Sequence, residues 1–358
     1  MTASSDFGVY IHVPFCAHRC GYCAFATWTD RGHLEARYLR AVRSEIEQVA
    51  ARGMPPATSI FVGGGTPSLV DPSDLAATIA AVPVLPGAEV TVECNPDDVD
   101  LALLETLAGA GVNRISLGVQ SMSSHVLSVL DRRHDPANVV RAVTAISESG
   151  IPTFNIDLIY GAAGETASDW ERTVRSVLEL EPPHVSAYGL TVEPGTPLAE
   201  SPELHPDDDV LADRYEVVDE LLSGAGRQNY EVSNWAIPGH ECRHNLVYWH
   251  QGDYRGFGCA AHSHRSGRRW WNVRTPDRYT ALVEAGDSAE AAGEDLDDAT
   301  REFERLELAL RLRTGVPIET LDGDSLVGLV ERVGDAWVLT RRGRLMANEV
   351  STRLRVGR

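Results

Sequence analysis

Residues 9–25 read VYIHVPFCAHRCGYCAF. Val9–Phe15 is a short β-rich run bounded by a loop, the pattern of a buried strand. On the loop that leaves it, Cys16, Cys20 and Cys23 stand as C-x3-C-x2-C. Three thiolates on one short loop can hold three corners of a cubic iron–sulfur cluster, whereas most such clusters take four cysteines. No fourth cysteine lies near, so one iron is left open to an exogenous ligand. By analogy with zinc, a site one protein ligand short is a reactive site. Zinc itself, with His12, His18 or a distant residue as fourth ligand, is the competing reading. Its usual form is a pair of C-x2-C hooks, and that form is absent here. The other thiols, Cys94, Cys242 and Cys259, are scattered, and free cysteine most often packs as a small buried hydrophobe.

Working outward, 1–238 repeats one unit, a short β-rich run followed by a longer amphipathic helical run. The expected strands are Val9–Phe15, Ser59–Gly63, Glu89–Asn95, Arg114–Ser121, Thr153–Ile159 and Val185–Val192. The expected helices are Leu34–Arg52, Asp74–Ala81, Leu101–Ala110, Ala137–Ser149 and Trp170–Glu179. Such βα units make an open doubly wound sheet or a barrel-like parallel sheet, and in both the ligands sit beyond the carboxyl ends of the strands. From 239 to 298 the character changes. His240–Asn272 is rich in His, Trp, Tyr and Gly, and Gly286–Glu304 carries eight carboxylates and one Arg, read as a solvated connector or the exposed start of a helix. The tail, 299–358, reads as a small helical module. It has helices at Thr300–Leu312 and Ser325–Val333, a strand at Trp337–Thr340 and a basic helix ending at Arg355, in the manner of a winged-helix domain. Its expected role is a structural cap.

The chain has 358 residues, with 32 Lys+Arg against 52 Asp+Glu and a formal charge of −20. A chain that acidic is a poor polyanion binder, so no nucleic-acid partner is expected. No apolar run approaches membrane-span length, and MTASSDFGVYIHV has no basic region ahead of a long apolar segment. The expected location is the cytoplasm.

The cysteine spacing, with the aromatic Tyr22 before the last thiol, resembles the signature of the radical S-adenosylmethionine (SAM) superfamily. The wider string TyrIleHisValProPheCys (10–16) resembles its branch of oxygen-independent coproporphyrinogen III oxidases (HemN) and haem chaperones (HemW), and the likeness runs from Val9 into the tail. The resemblance implies an α/β fold: a partial (β/α)6 barrel with a C-terminal extension and a small winged-helix-like domain. It also implies a [4Fe–4S] cluster on Cys16, Cys20 and Cys23 whose open iron binds SAM. GlyGlyGlyThrProSer (63–68) follows the second strand, where glycines let backbone approach a ligand, and the Lys of a phosphate loop is missing. By resemblance the SAM-binding residues are Tyr10, Gly64, Gly65, Thr66, Glu93, Gln120, Arg132 and Asp157. In the coproporphyrinogen enzyme these contact two SAM molecules, and Tyr22 touches the second. GlyAlaAlaGly (161–164) departs from relatives that carry a Pro, which implies a looser turn.

Two features choose within the branch. The oxidase has a further cysteine two residues after the third, and here that position is Phe25. HisAsnLeuValTyrTrp (244–249) resembles the H-N-x-x-Y-W motif of the haem chaperones, with His244 as a haem-iron ligand and Tyr248 and Trp249 stacked on the porphyrin. His240, His250, His262 and His264 are further axial candidates that the sequence does not rank. The resemblance therefore implies a haem chaperone that takes haem as cargo and delivers it to respiratory haem proteins, with a cluster that promotes dimerisation or transfer. The alternatives are coproporphyrinogen III oxidation to protoporphyrinogen IX, or another radical SAM reaction such as methylation or cyclopropanation.

Overall fold

The computed structural model of the protein describes residues 6–355. Residues 1–5, which open the stretch read for a secretory signal, and 356–358 lie outside the described residues. The elements run β1 (Phe7–Val13), α1 (Glu35–Ala51), β2 (Ala57–Gly64), α2 (Pro72–Ala80), β3 (Val84–Cys94), α3 (Leu101–Gly109), β4 (Arg114–Gln120), α4 (Ser124–Val129), α5 (Pro136–Ser149), β5 (Thr153–Tyr160), α6 (Ala167–Glu179), β6 (His184–Gly189) and α7 (Asp208–Gly224). Then follow β7 (Gln228–Glu231), β8 (Asn234–Ala236), α8 (Arg243–Trp249), β9 (Asp253–Phe257), β10 (His262–Arg265), β11 (Arg268–Asn272), α9 (Pro276–Ala285) and β12 (Glu290–Asp295). The tail holds α10 (Asp298–Leu310), β13 (Val316–Pro317), β14 (Val330–Val333), β15 (Ala336–Leu339), α11 (Arg341–Leu345) and α12 (Ala347–Ser351).

One 12-stranded sheet takes β1–β12, in the order β12-β11-β10-β9-β1-β2-β3-β4-β5-β6-β8-β7. The run from β9 through β1 to β6 is parallel throughout, and the flanking strands pair antiparallel. Alternation decides which side chains face the helices. On β1, Val9, Ile11 and Val13 are buried in the main core, and on β4 so are Ile115, Leu117 and Val119. The intervening Tyr10, His12, Arg114 and Ser116 line an internal cavity, as the two-residue period of a strand requires. The inner face of this sheet is thus polar where a filled parallel barrel packs Val, Ile and Leu. Helix starts are capped by Asp71, Asp100 and Asp135, and by a Thr166–Asp169 capping box.

The six expected strands and five expected helices are present, with shifted ends; β6 stops at Gly189, short of Val192. The His/Trp-rich stretch is more regular than its sequence indicates. It supplies α8 and β9–β11, and β9 pairs parallel with β1. Part of the acidic connector is the strand β12, exposed along its whole length and paired with β11. In the tail, the helix expected over Ser325–Val333 is instead a single 3-10 turn, Gly323–Ser325, followed by β14, which forms a hairpin with β15. Gly334 at φ 61° makes that turn possible. The tail has its own apolar cluster around Leu306, Leu310, Val316, Leu339 and Val350. The turn at 161–164 is held rather than loose, because Gly161 N donates to Glu165 Oε2 at 2.8 Å.

Candidate functional site

The loop after β1 carries Cys16, Cys20 and Cys23 onto the rim of a cavity of 690 Å³ at the carboxyl ends of the strands. Tyr22, Gly64, Gly65, Thr66, Glu93, Gln120, Arg132 and Asp157 line it with them. Two donors face the sulfurs: Thr66 Oγ1 lies 3.7 Å from Cys16 Sγ and Arg132 Nη1 lies 3.8 Å from Cys20 Sγ. Among the described residues no three His, Cys, Asp or Glu side chains close around a single ion. A cubic cluster is larger than an ion and takes its thiolates around its outside, so three half-buried cysteines on one loop, with hydrogen-bond donors behind two of them, fit that group. When bound there with SAM on its open iron, such a cluster supplies one-electron chemistry. Cys94, Cys242 and Cys259 are buried in the body of the fold.

The glycine loop works differently from its sequence reading. A Cβ on Gly63 would meet Glu93 at 2.7 Å, one on Gly64 would meet His12 at 2.3 Å, and one on Gly65 would meet Phe15 O at 2.6 Å. Gly64 N donates to Glu93, Gly65 N to Val13 O and Thr66 N to Phe15 O. These N–H groups therefore brace the cysteine loop and are engaged by protein. At the end of β4, Gln120 sits at φ 64°, a left-handed conformation uncommon for a residue with a Cβ and frequent at functional sites.

Beneath the first cavity lies a second, of 610 Å³. The two share Ala24, Phe25, Gly64, Glu93, Ser116, Asp157 and Tyr188 in their walls, so they are two chambers of one space. Tyr10 lines the lower chamber only, where Gly64, Glu93 and Asp157 also reach. There its hydroxyl is 3.0 Å from His12 Nδ1. Burial raises the pKa of Glu93 to about 7, with the neighbouring Asp157 charge adding to the rise and the Gly64 N–H opposing it. Asp157 is also raised, first by burial, against hydrogen bonds from Ser116 and Asn155.

The motif at 244–249 forms α8, and its side chains reach the start of the strands, at the opposite end from the cysteines. Glu89, near the start of the paired part of β3, accepts from Arg243 N at 3.2 Å and from His244 N at 3.1 Å. His244 is 0% exposed. Its Nδ1 is 3.0 Å from Ser59 Oγ and its Nε2 is 2.7 Å from Tyr248 OH, and its ring stacks on Phe61. Burial pushes its pKa down to about 3. The structure therefore gives His244 a different place from that of an open iron ligand, since both ring nitrogens are engaged. Tyr248 lines the lower chamber with it, and Trp249 does not. Sequence reasoning missed Glu89, Arg114, Asn155, His184 and Tyr188. The available signal was polar residues at alternate positions within otherwise apolar parallel strands, as in Arg114/Ser116 and Asn155/Asp157.

Comparison with known proteins agrees with this geometry. The Radical SAM superfamily model matches residues 10–177. The protein "Heme chaperone HemW" of Mycobacterium tuberculosis is 43% identical over 96% of this chain and 93% of its own length. The protein of the same name from Escherichia coli is 35% identical over 98% of each. Among solved structures, the coproporphyrinogen III oxidase HemN of Escherichia coli superposes with a TM-score of 0.84 at 22% identity, covering 97% of this chain and 89% of that one, which establishes the common fold. No helix among the described residues is long and apolar enough to cross a membrane. A cysteine loop over a two-chambered polar sheet, in a chain this similar to those relatives end to end, makes it a member of the radical SAM superfamily and, within it, of the HemW family.

Proposed function

We propose that the protein is a haem chaperone, holding haem as cargo and passing it to respiratory haem proteins, with a [4Fe–4S] cluster on Cys16, Cys20 and Cys23 and SAM in the upper chamber. The observation that carries this reading is Phe25. It stands where the oxidase has its additional cysteine, it is 63% exposed, and it lines both chambers. A phenyl ring has no proton or electron pair to give a propionate side chain, and it is a surface on which a porphyrin can stack. His244 and Tyr248 enter the reading as part of the wall of the haem chamber, and Trp249 as support outside it. A homodimer and a cytoplasmic location belong to the same proposal. Haem moved between proteins has to be held by few, exchangeable contacts, which suits a chamber open at one side.

A radical SAM enzyme is the second reading, favoured by the upper chamber, where the residues expected to bind SAM converge around the cysteine loop. The deciding experiment is anaerobic. The cluster is reconstituted, dithionite, SAM and coproporphyrinogen III are added, and porphyrin products are followed by mass, with a haem titration in parallel. The chaperone reading expects haem binding and no decarboxylated product. Product formed over many turnovers would make the protein an oxidase in spite of Phe25.

A further inference from the structure

An axial ligand to haem iron needs an imidazole nitrogen with an available lone pair and a ring that reaches a space wide enough for a porphyrin. Five histidines lie between positions 240 and 264. His244 is excluded by its two hydrogen bonds. His264 is buried, with Nδ1 2.9 Å from Gly252 O and Nε2 accepting from Gly267 N at 3.2 Å. His240 is held by Thr153 at 2.8 Å, and neither His240 nor His250 lines a chamber. The other histidines of the lower chamber have both nitrogens engaged as well: His12 with Tyr10 OH and Ala26 O, His184 with Asn155 and Tyr230 OH.

His262 is different. It is an exposed residue of β10 that lines the lower chamber. Among the described residues no hydrogen bond engages its ring nitrogens. Its ring stacks on Trp271 across the β10–β11 pair, with centroids 5.6 Å apart and planes 26° apart, which fixes the plane of the imidazole. Partial burial and the charge of Arg269 lower its pKa, favouring the neutral form that binds iron. Phe25 and Tyr188, the latter 39% exposed, are apolar surfaces of the same chamber. The chamber also holds a buried cation with bonding capacity left. Arg114 is 1% exposed, and its Nη1 donates to His240 O while its Nη2 has no partner among the described residues. A ligand that brings a carboxylate into the chamber would satisfy that nitrogen, and haem carries two propionates.

We infer that His262 is the axial ligand of haem iron at the mouth of the lower chamber, which rests on the haem-binding reading above. The step is a ligand exchange. A ring nitrogen gives its lone pair to ferric iron and a water leaves, with no change of oxidation state.

The test is a hemin titration of the full chain, followed by the Soret band and by electron paramagnetic resonance, on wild type, His262→Ala and His250→Ala. Wild type and His250→Ala are expected to share one affinity and one spectrum. His262→Ala is expected to bind about ten-fold or more weakly, the scale of one lost coordinate contact, with an altered spin state that added imidazole restores. A thermal melt matched to wild type shows that the variant is folded, and His262→Gln serves the same comparison if it is not. Unchanged affinity and spectrum in the His262 variants overturn the assignment and leave haem binding standing. Failure of wild type to bind hemin overturns the chaperone reading itself.

Discussion

Glu93 and Asp157 put two carboxyl groups into one buried polar space, and burial together with mutual repulsion holds Glu93 at about 7. Its ordinary value is 4.5. A carboxyl whose folded pKa is raised penalises the folded state when ionised, so without ligand the stability contribution falls as pH rises from about 4.5 through about 7. SAM brings a sulfonium, and a cation beside Glu93 favours the carboxylate. Binding near pH 7 should therefore release a fraction of a proton, and affinity should rise with pH through that range. Calorimetry of SAM binding in two buffers of different ionisation enthalpy reads the release directly, and Glu93→Gln should reduce it. Equal heats in both buffers would place the bound cation away from Glu93. At this scale the cysteines were legible in the sequence because their spacing is local, whereas the strand-end residues were named only through the family resemblance. The engagement of His244 was not, since Ser59 and Phe61 come from a strand far away in the chain.

An element such as α8 is too short to stand on its own propensity, and Glu89 anchors its first turn. Glu89→Ala removes the acceptor for two backbone N–H groups and for the Cys242 thiol, 3.6 Å away. A loss of about 1–2 kcal/mol is expected, the scale of a helix N-cap, read as a lower denaturation midpoint. Glu89→Gln, which keeps an acceptor, should lose less, and equal loss in both would show that the charge matters more than the bonds. The elements missed in the sequence have physical reasons. β9, AspTyrArgGlyPhe, is short and polar, and it becomes a strand because β1 offers it a parallel edge. β12, GluAlaAlaGlyGluAsp, buries nothing and is held by Arg268 and Arg269 of its neighbour. β14 had a readable signal, the GlyAsp turn between two short runs that carry Val330, Val333, Trp337 and Val338.

For the whole molecule, one of the ties between the tail and the main sheet converges on a single carboxylate. Asp219 on α7 is buried and accepts from Trp235 Nε1 at 2.9 Å, from Arg344 at 2.9 Å and from Arg341. Asp219→Ala leaves the buried indole N–H without its acceptor and leaves Arg344 with Asn229 but no carboxylate. The expected loss is about 3 kcal/mol, as for breaking one side of a buried ion pair. Protease sensitivity should appear first in the tail, and cleavage confined to the main sheet would contradict that attachment. The tail also covers β7, the last strand of the sheet: Arg313 N donates to Tyr230 O at 3.0 Å, and Glu231 bridges to Leu312. At the other end, β12 guards its edge with Glu290, Glu294 and Asp295. The two guards differ in when they exist. The acidic edge is protected as soon as it is synthesised, whereas β7 leaves the ribosome well before Leu312 and Arg313 can reach it. Until they arrive, a nascent chain presents bare backbone ready to pair with a neighbouring chain, so crowded translation is where this protein is most prone to aggregate.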